Sequence, residues 1–220
     1  MPGRALIERR PWLLASIVLA IAYFLLEGSR LPGLYLIALK GLPVALLAVY
    51  ALLRHQGVDG RMIAGVMAIG AAGDVAMELD LMAGGAAFAC AHLLAIALFM
   101  KHRRERITTS QRLFGLALLL VTPVIAWSLP AERATAPLVA AYALVLGAMA
   151  GAAWTSAFPR YRVGLGAVLF AVSDLLIFAR LGPWADSAVP GWTIWPAYYT
   201  AQFLICTGVV QTLRRWSLAK

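Results

Sequence analysis

Two aspartates stand where an aspartate is costly. Asp74 follows Gly73 inside the apolar run from Gly65 to His92, and Asp174 follows Ser173 inside a second run. Glycines precede both, Gly65 and Gly70 in one case and Gly164 and Gly166 in the other. If these runs cross a bilayer, each carboxyl lies in hydrocarbon. An ionisable group there costs at least ~2.5–3.5 kcal/mol on insertion scales and by default marks a functional site facing a bundle interior. Paired carboxyls can divide acid–base work: a neutral one delivers a proton while an ionised one steadies a developing cation or activates water. Lys40, His92 and Gln202 are the other polar side chains set deep in apolar runs.

The elements that must position them are membrane helices. Of 220 residues 62% are hydrophobic and 13% charged, and mean hydropathy is +0.82, well outside the roughly 45–50% apolar and 25% charged of soluble domains. The expected fold is all-α, a polytopic bundle of about eight spans near the length a ~30 Å hydrocarbon core requires. They are Trp12–Leu26, Gly33–Leu53, Met62–Leu79, Ala83–Met100, Leu113–Leu129, Ala136–Trp154, Val163–Leu181 and Ile194–Leu213. Arg9-Arg10 before the first could open a signal peptide, but Leu26-Glu27-Gly28-Ser29-Arg30 lacks a small-x-small cleavage site, so an uncleaved helix is expected.

Loop charge orients the bundle. With the N-terminus inside, 15 basic residues face inward (Arg4, Arg9, Arg10, Arg54, Arg61, Lys101, Arg103, Arg104, Arg106, Arg112, Arg160, Arg162, Arg214, Arg215, Lys220) against 3 outward (Arg30, Arg133, Arg180). This bias accounts for the +9 net charge without a nucleic-acid partner and puts both termini in the cytoplasm of a plasma (inner) membrane protein. The seven tryptophans fall at span ends or in adjacent loops, as an aromatic belt requires.

The chain reads as one integral membrane domain, 1–220, with a hint of duplication. Ala72-Gly73-Asp74 is echoed by Val172-Ser173-Asp174, and Ala91-His92-Leu93-Leu94 by Ala201-Gln202-Phe203-Leu204, which suggests parallel halves at 1–106 and 107–220. At ~1.5 Å per residue, Asp74 and Asp174 come out roughly 12–14 Å below the outer surface of a ~30 Å core. Lys40, His92 and Gln202 come out ~10–13 Å deep by the same rise. All five share one layer, and a site opening toward the outer leaflet is expected there.

Plainer readings exist for each. His92 or Gln202 alone can simply bond between helices, Lys40 can snorkel outward, and Glu78 and Asp80 can be ordinary charges at the outer mouth, although Glu78 is one turn above Asp74. The glycines before each aspartate can serve close packing alone. Cys90 and Cys206 sit within apolar runs and suggest no disulfide, and with His55 and His102 in inner loops no three-histidine metal site is available. Neither metal nor other cofactor is expected.

Gly73-Asp74, Phe88-x-x-Ala91-His92-Leu93, Gly166-Ala167-x-x-Phe170-x-x-Ser173-Asp174, Tyr199-x-Ala201-Gln202-x-Leu204 and Lys40-x-Leu42-Pro43 occur in that spatial logic along the chain. Together they resemble the pattern of the YhhN-type lysoplasmalogenase family. The resemblance implies a multi-pass membrane hydrolase that cleaves the vinyl ether bond of lysoplasmalogens to a fatty aldehyde and a glycerophospho head group. It further implies that Asp74 and Asp174 are the catalytic pair; Lys40, Glu78, His92, Ser173, Tyr199 and Gln202 are expected to support a lysolipid substrate. Gly41, where a proline usually follows the lysine, should soften the backbone near Lys40, and Leu94-Ala95 replaces an aromatic often seen after His-Leu. Both departures bear on substrate preference.

Vinyl ethers are cleaved by protonating carbon, which gives an oxocarbenium ion that water captures. Asp174, with Phe170, Leu175 and Ile177 beside it, has the apolar setting that suits a neutral general acid. Asp74, facing Lys40, would stay ionised and steady the cation. A proton-coupled transporter, an intramembrane aspartyl protease and a lipid-binding structural protein are the alternatives from other classes. Against the protease, no Pro-Ala-Leu segment is present; against the transporter, spans three and seven lack matched helix breaks.

Overall fold

The structure, a computed structural model, describes residues 10–219. Among the described residues there are eight α-helices and no strand, so the chain is an all-α membrane protein. Arg4, Arg9 and Lys220 of the inward basic set lie outside the described residues, as does the side chain of Arg10. Each expected span overlaps one helix, although the seventh begins in a π-helical turn before its helix and the helix carrying the last runs on to Leu218. The helices are α1 Arg10–Leu26, α2 Gly33–Arg54, α3 Val58–Leu79, α4 Leu81–Lys101, α5 Thr109–Ser128, α6 Ala136–Thr155, α7 Leu165–Arg180 and α8 Val189–Leu218. A π-helical turn, Arg160–Gly164, leads into α7.

Six helical stretches are long and apolar enough to cross a membrane: α2 to α6, and Arg160–Arg180. With 17 residues, α1 reaches only ~25 Å at the helical rise. α8 is longer, at 30 residues, but its tyrosines, threonines and glutamines dilute its apolar content. It also begins at Val189, more than a turn before the expected span. Trp195 therefore lies in its second turn and is buried, not in a belt; Trp12, Trp127, Trp184 and Trp192 are exposed at helix ends and loops as expected.

Local chemistry sets the boundaries. Gly28 takes a left-handed φ of 81° in the turn after α1, a conformation open to glycine and costly for other residues. Asp80, expected as an ordinary mouth charge, is extended, and its carboxylate accepts the N–H of Ala83 at 2.7 Å. It thereby separates α3 from α4 and satisfies an orphan donor of α4's first turn. Thr108 and Gln111 form a capping box that starts α5. Pro137 stands in the first turn of α6, where its missing N–H is not needed.

The chain forms two compact units. One comprises residues 10–94 with 209–219, the other Ala95–Gly208. In the first, α2 packs along α3 and against α1, and the buried Ser16 of α1 donates a 2.7 Å hydrogen bond to the Pro43 carbonyl of α2. Helix α2 is continuous through Gly41 and Pro43. Gly41 serves close approach: a methyl there would lie 2.8 Å from Val75 Cγ2 and 3.0 Å from the Ala71 carbonyl oxygen of α3. Gly41→Leu is therefore expected to destabilise the protein by ~1–3 kcal/mol through overpacking, read as earlier unfolding on heating in detergent. A melting temperature equal to the parent's would show that α2 and α3 have room there.

In the second unit α5 and α6 form the largest helix pair, and α7 packs on both. Ala126 of α5 with Val139 and Ala143 of α6 makes a small core, and Leu175 and Phe178 of α7 close over it. Beneath it the segment after α4 is tied to the end of α6. Ala157 N–H donates to the His102 carbonyl at 2.7 Å and the Arg104 guanidinium to the Phe158 carbonyl at 3.3 Å, while Phe158 itself is fully buried against Phe99 and His102.

Candidate functional site

Both aspartates are buried, Asp74 at 3% and Asp174 at 6% exposure, and each is the centre of a polar group within its own unit.

In the first unit Asp74 lies on α3 beside Gly73, whose missing side chain admits the ring of Phe88 from α4; a methyl on Gly73 would stand 3.1 Å from that ring. Phe88 stacks in turn on His92, one helical turn further along α4, with centroids 6.5 Å apart. His92 is 2% exposed. The glycine before the aspartate thus admits an aromatic ring that is itself stacked on a histidine one turn further along α4. Lys40 of α2 is the point of correction: its ammonium is hydrogen-bonded to the Glu78 carboxylate, one turn along α3 from Asp74, rather than set on Asp74. Glu78 is accordingly not a free mouth charge. The physical reason is the length of the lysine stem, which carries the ammonium toward the more exposed carboxylate, where less hydration is lost than beside a buried one. The Glu78 side chain is 39% exposed, against 18% for Lys40. The ammonium also lies 5.9 Å from the ring centre of Tyr23 on α1.

In the second unit the surroundings of Asp174 are less apolar than its sequence neighbours suggest. Tyr142, mid-way along α6, donates its hydroxyl to Asp174 Oδ2 at 2.6 Å. Ser173 is fully buried; its Oγ bonds the Phe170 carbonyl at 2.7 Å and lies 3.3 Å from Asp174 Oδ1. A turn earlier on α7, Phe170 meets Tyr198 of α8 edge-on at 5.2 Å, and Gln202, 2% exposed, donates to the Tyr198 hydroxyl at 3.1 Å. Tyr199, singled out from the sequence, is partly exposed and packs on Trp195 and Phe203; its neighbour Tyr198 is the buried one. Gly166 lets α8 approach α7, since a methyl there would lie 3.0 Å from the Ala201 carbonyl oxygen.

Sequence reasoning missed Tyr142 and Tyr198. A signal existed for both. Tyr142 is six residues from the N-terminal end of α6, about 9 Å along it at the helical rise, close to the ~10–14 Å depth expected for the other polar groups. Tyr198 precedes Gln202 by four residues, the spacing that puts two side chains on one helix face.

The sequence profile of the YhhN family matches residues 35–209. The chain belongs to the YhhN family. No curated protein and no solved structure matches the chain significantly. The YhhN match takes in Lys40, Asp74, Glu78, His92, Tyr142, Ser173, Asp174, Tyr198, Tyr199 and Gln202, whereas Ser16 and Tyr23 of α1 precede it. Every polar group built around the two aspartates except the Tyr23 phenol therefore falls within the YhhN portion, and the chain is a multi-pass membrane protein of this family.

In chemical terms, one carboxyl is held by two hydroxyls with no charged group among these partners. The other is buried on the same helix face as a carboxylate that holds a lysine.

Proposed function

We propose that the protein is a membrane hydrolase that cleaves the vinyl ether bond of a lysoplasmalogen-like lysolipid, releasing a fatty aldehyde and a glycerophospho head group, with Asp74 and Asp174 both required. The observation that carries the reading is the burial of two aspartates within apolar helices inside the YhhN match. A carboxyl in such a place is retained against an insertion cost, and carbon protonation is a reaction that uses it. Asp174 gives its proton to the vinyl carbon remote from the ether oxygen. Asp74 steadies the oxocarbenium ion and orients the water that captures it. The resulting hemiacetal collapses to aldehyde and the freed hydroxyl of the head-group fragment. Lys40 and Glu78, His92, Ser173, Tyr199 and Gln202 support the substrate. Incubating the purified protein with a lysoplasmalogen and measuring released aldehyde, with and without chelator, tests both the reaction and the expectation that no metal takes part. No aldehyde above the no-protein control would defeat the proposal.

The site is proposed to open to the outer leaflet of the plasma (inner) membrane, with both termini and the loop around Lys101–Arg112 cytoplasmic, because the positive charge is concentrated on that side. In a cysteine-free background, a cysteine at Ser187 is expected to react with an impermeant thiol reagent on intact cells and one at Arg104 only after lysis. The reverse pattern would overturn the orientation.

A further inference from the structure

We propose that Tyr142 is the positioning residue of the proton donor: it clamps Asp174 by Oδ2 and thereby leaves Oδ1 as the oxygen that carries the transferable proton. The assignment rests on the vinyl-ether reading of the site, but its geometric core does not. The phenol donates to Oδ2 at 2.6 Å, and neither partner can drift. The Tyr142 ring sits edge-on against Phe178 at 5.9 Å and 83°, and Phe178 is one turn from Asp174 on α7. Val139 and Ala143, on either side of Tyr142, are buried in the core that Leu175 and Phe178 close. One packed cluster therefore fixes both ends of the hydrogen bond.

Ser173 decides the other oxygen. A serine hydroxyl has one hydrogen and two lone pairs. Its 2.7 Å contact to the Phe170 carbonyl requires the hydrogen, because a carbonyl can only accept. The longer 3.3 Å contact from Ser173 Oγ to Oδ1 shares a hydrogen already committed to that carbonyl, so Oδ1 is the less tightly held of the two carboxyl oxygens. In the reaction the Oδ1–H bond breaks and its proton forms a C–H bond with the electron pair of the vinyl C=C. The O–H pair stays on Oδ1 as carboxylate, and the ether oxygen shares the positive charge until water adds through its oxygen and gives up one proton to that carboxylate, which restores the acid. As that negative charge forms, the Tyr142 bond becomes charge-assisted and strengthens. The hydroxyl therefore acts on turnover more than on binding.

The test uses the full-length protein in detergent. Difference infrared spectroscopy is expected to show a carboxylic C=O band in the parent that is absent in Asp174→Asn. The band should move to higher frequency in Tyr142→Phe, where Oδ2 accepts no hydrogen bond, and to lower frequency with a ring-fluorinated tyrosine at 142, a stronger donor of unchanged shape. Tyr142→Phe should also lower kcat by about 10- to 100-fold, the size of losing a hydrogen bond to a forming charge, with KM and melting temperature nearly unchanged. No carboxylic band lost in Asp174→Asn, or a band that ignores both changes at position 142, would overturn the clamp. Absence of aldehyde release by the parent defeats the reaction instead, and the infrared arms, which need no substrate, still decide the clamp.

Discussion

Asp174→Asn is expected to lower kcat for aldehyde release by about 10²–10⁴-fold, the range supplied by a positioned general acid, while the protein still folds. The asparagine keeps the shape of the side chain, and its carbonyl oxygen can still accept the Tyr142 hydroxyl that meets Oδ2 at 2.6 Å. What it cannot do is release a proton to carbon, so the loss should appear in kcat with KM little changed. The parent protein offers a companion signature. Cleavage in heavy water should place one deuterium on the carbon next to the aldehyde carbonyl, with a normal solvent isotope effect if carbon protonation limits the rate. Aldehyde formed without that deuterium, under conditions where the label survives exchange, would exclude carbon protonation and with it the acid role. A kcat within about threefold of the parent's, far below the range for a general acid, would remove Asp174 from the reaction altogether.

The second large effect is expected at Asp74. Asp74→Asn should cost about 10²–10³-fold in kcat, comparable to removing one preorganised group that stabilises transition-state charge. Asparagine fits the space beside Gly73 and Phe88 but carries no negative charge to set against the oxocarbenium ion. Binding of an unreactive saturated-ether lysolipid should be retained, because the ground-state substrate has no charge at that carbon. A variant that loses the analogue and keeps the turnover of bound substrate would assign Asp74 to binding instead. The Lys40–Glu78 pair makes a further distinction. Because Lys40 bonds Glu78 rather than Asp74, Lys40→Met should perturb turnover less than Asp74→Asn does. An equal loss would mean that the lysine acts on the reaction directly.

Much of this protein is legible in its sequence. The all-α membrane fold follows from composition and from the length of the apolar runs, since backbone polar groups in hydrocarbon must be satisfied within the segment. The apolar run alone starts the fifth helix only at Leu113, whereas the capping box of Thr108 and Gln111 sets its real beginning. The depth of Asp74 and Asp174 within their apolar runs is legible too, because hydropathy and a fixed rise per residue locate a side chain along a helix. Their partners do not follow. At 3.6 residues per turn, neighbouring positions point about 100° apart, and which face turns inward is decided by how helices pack. Hence Tyr198 rather than Tyr199 meets Phe170, although the two are adjacent in the chain. Lys40 reached Glu78 instead of Asp74 because both carboxyls share one face of α3 and the longer reach costs less hydration. Tyr142 came to Asp174 across 32 positions of sequence because Val139, Ala143, Leu175 and Phe178 pack α6 on α7 in one rotational setting. Depth is written in a single helix, residue by residue; azimuth is a property of the packed helices together, and only tertiary structure supplies it.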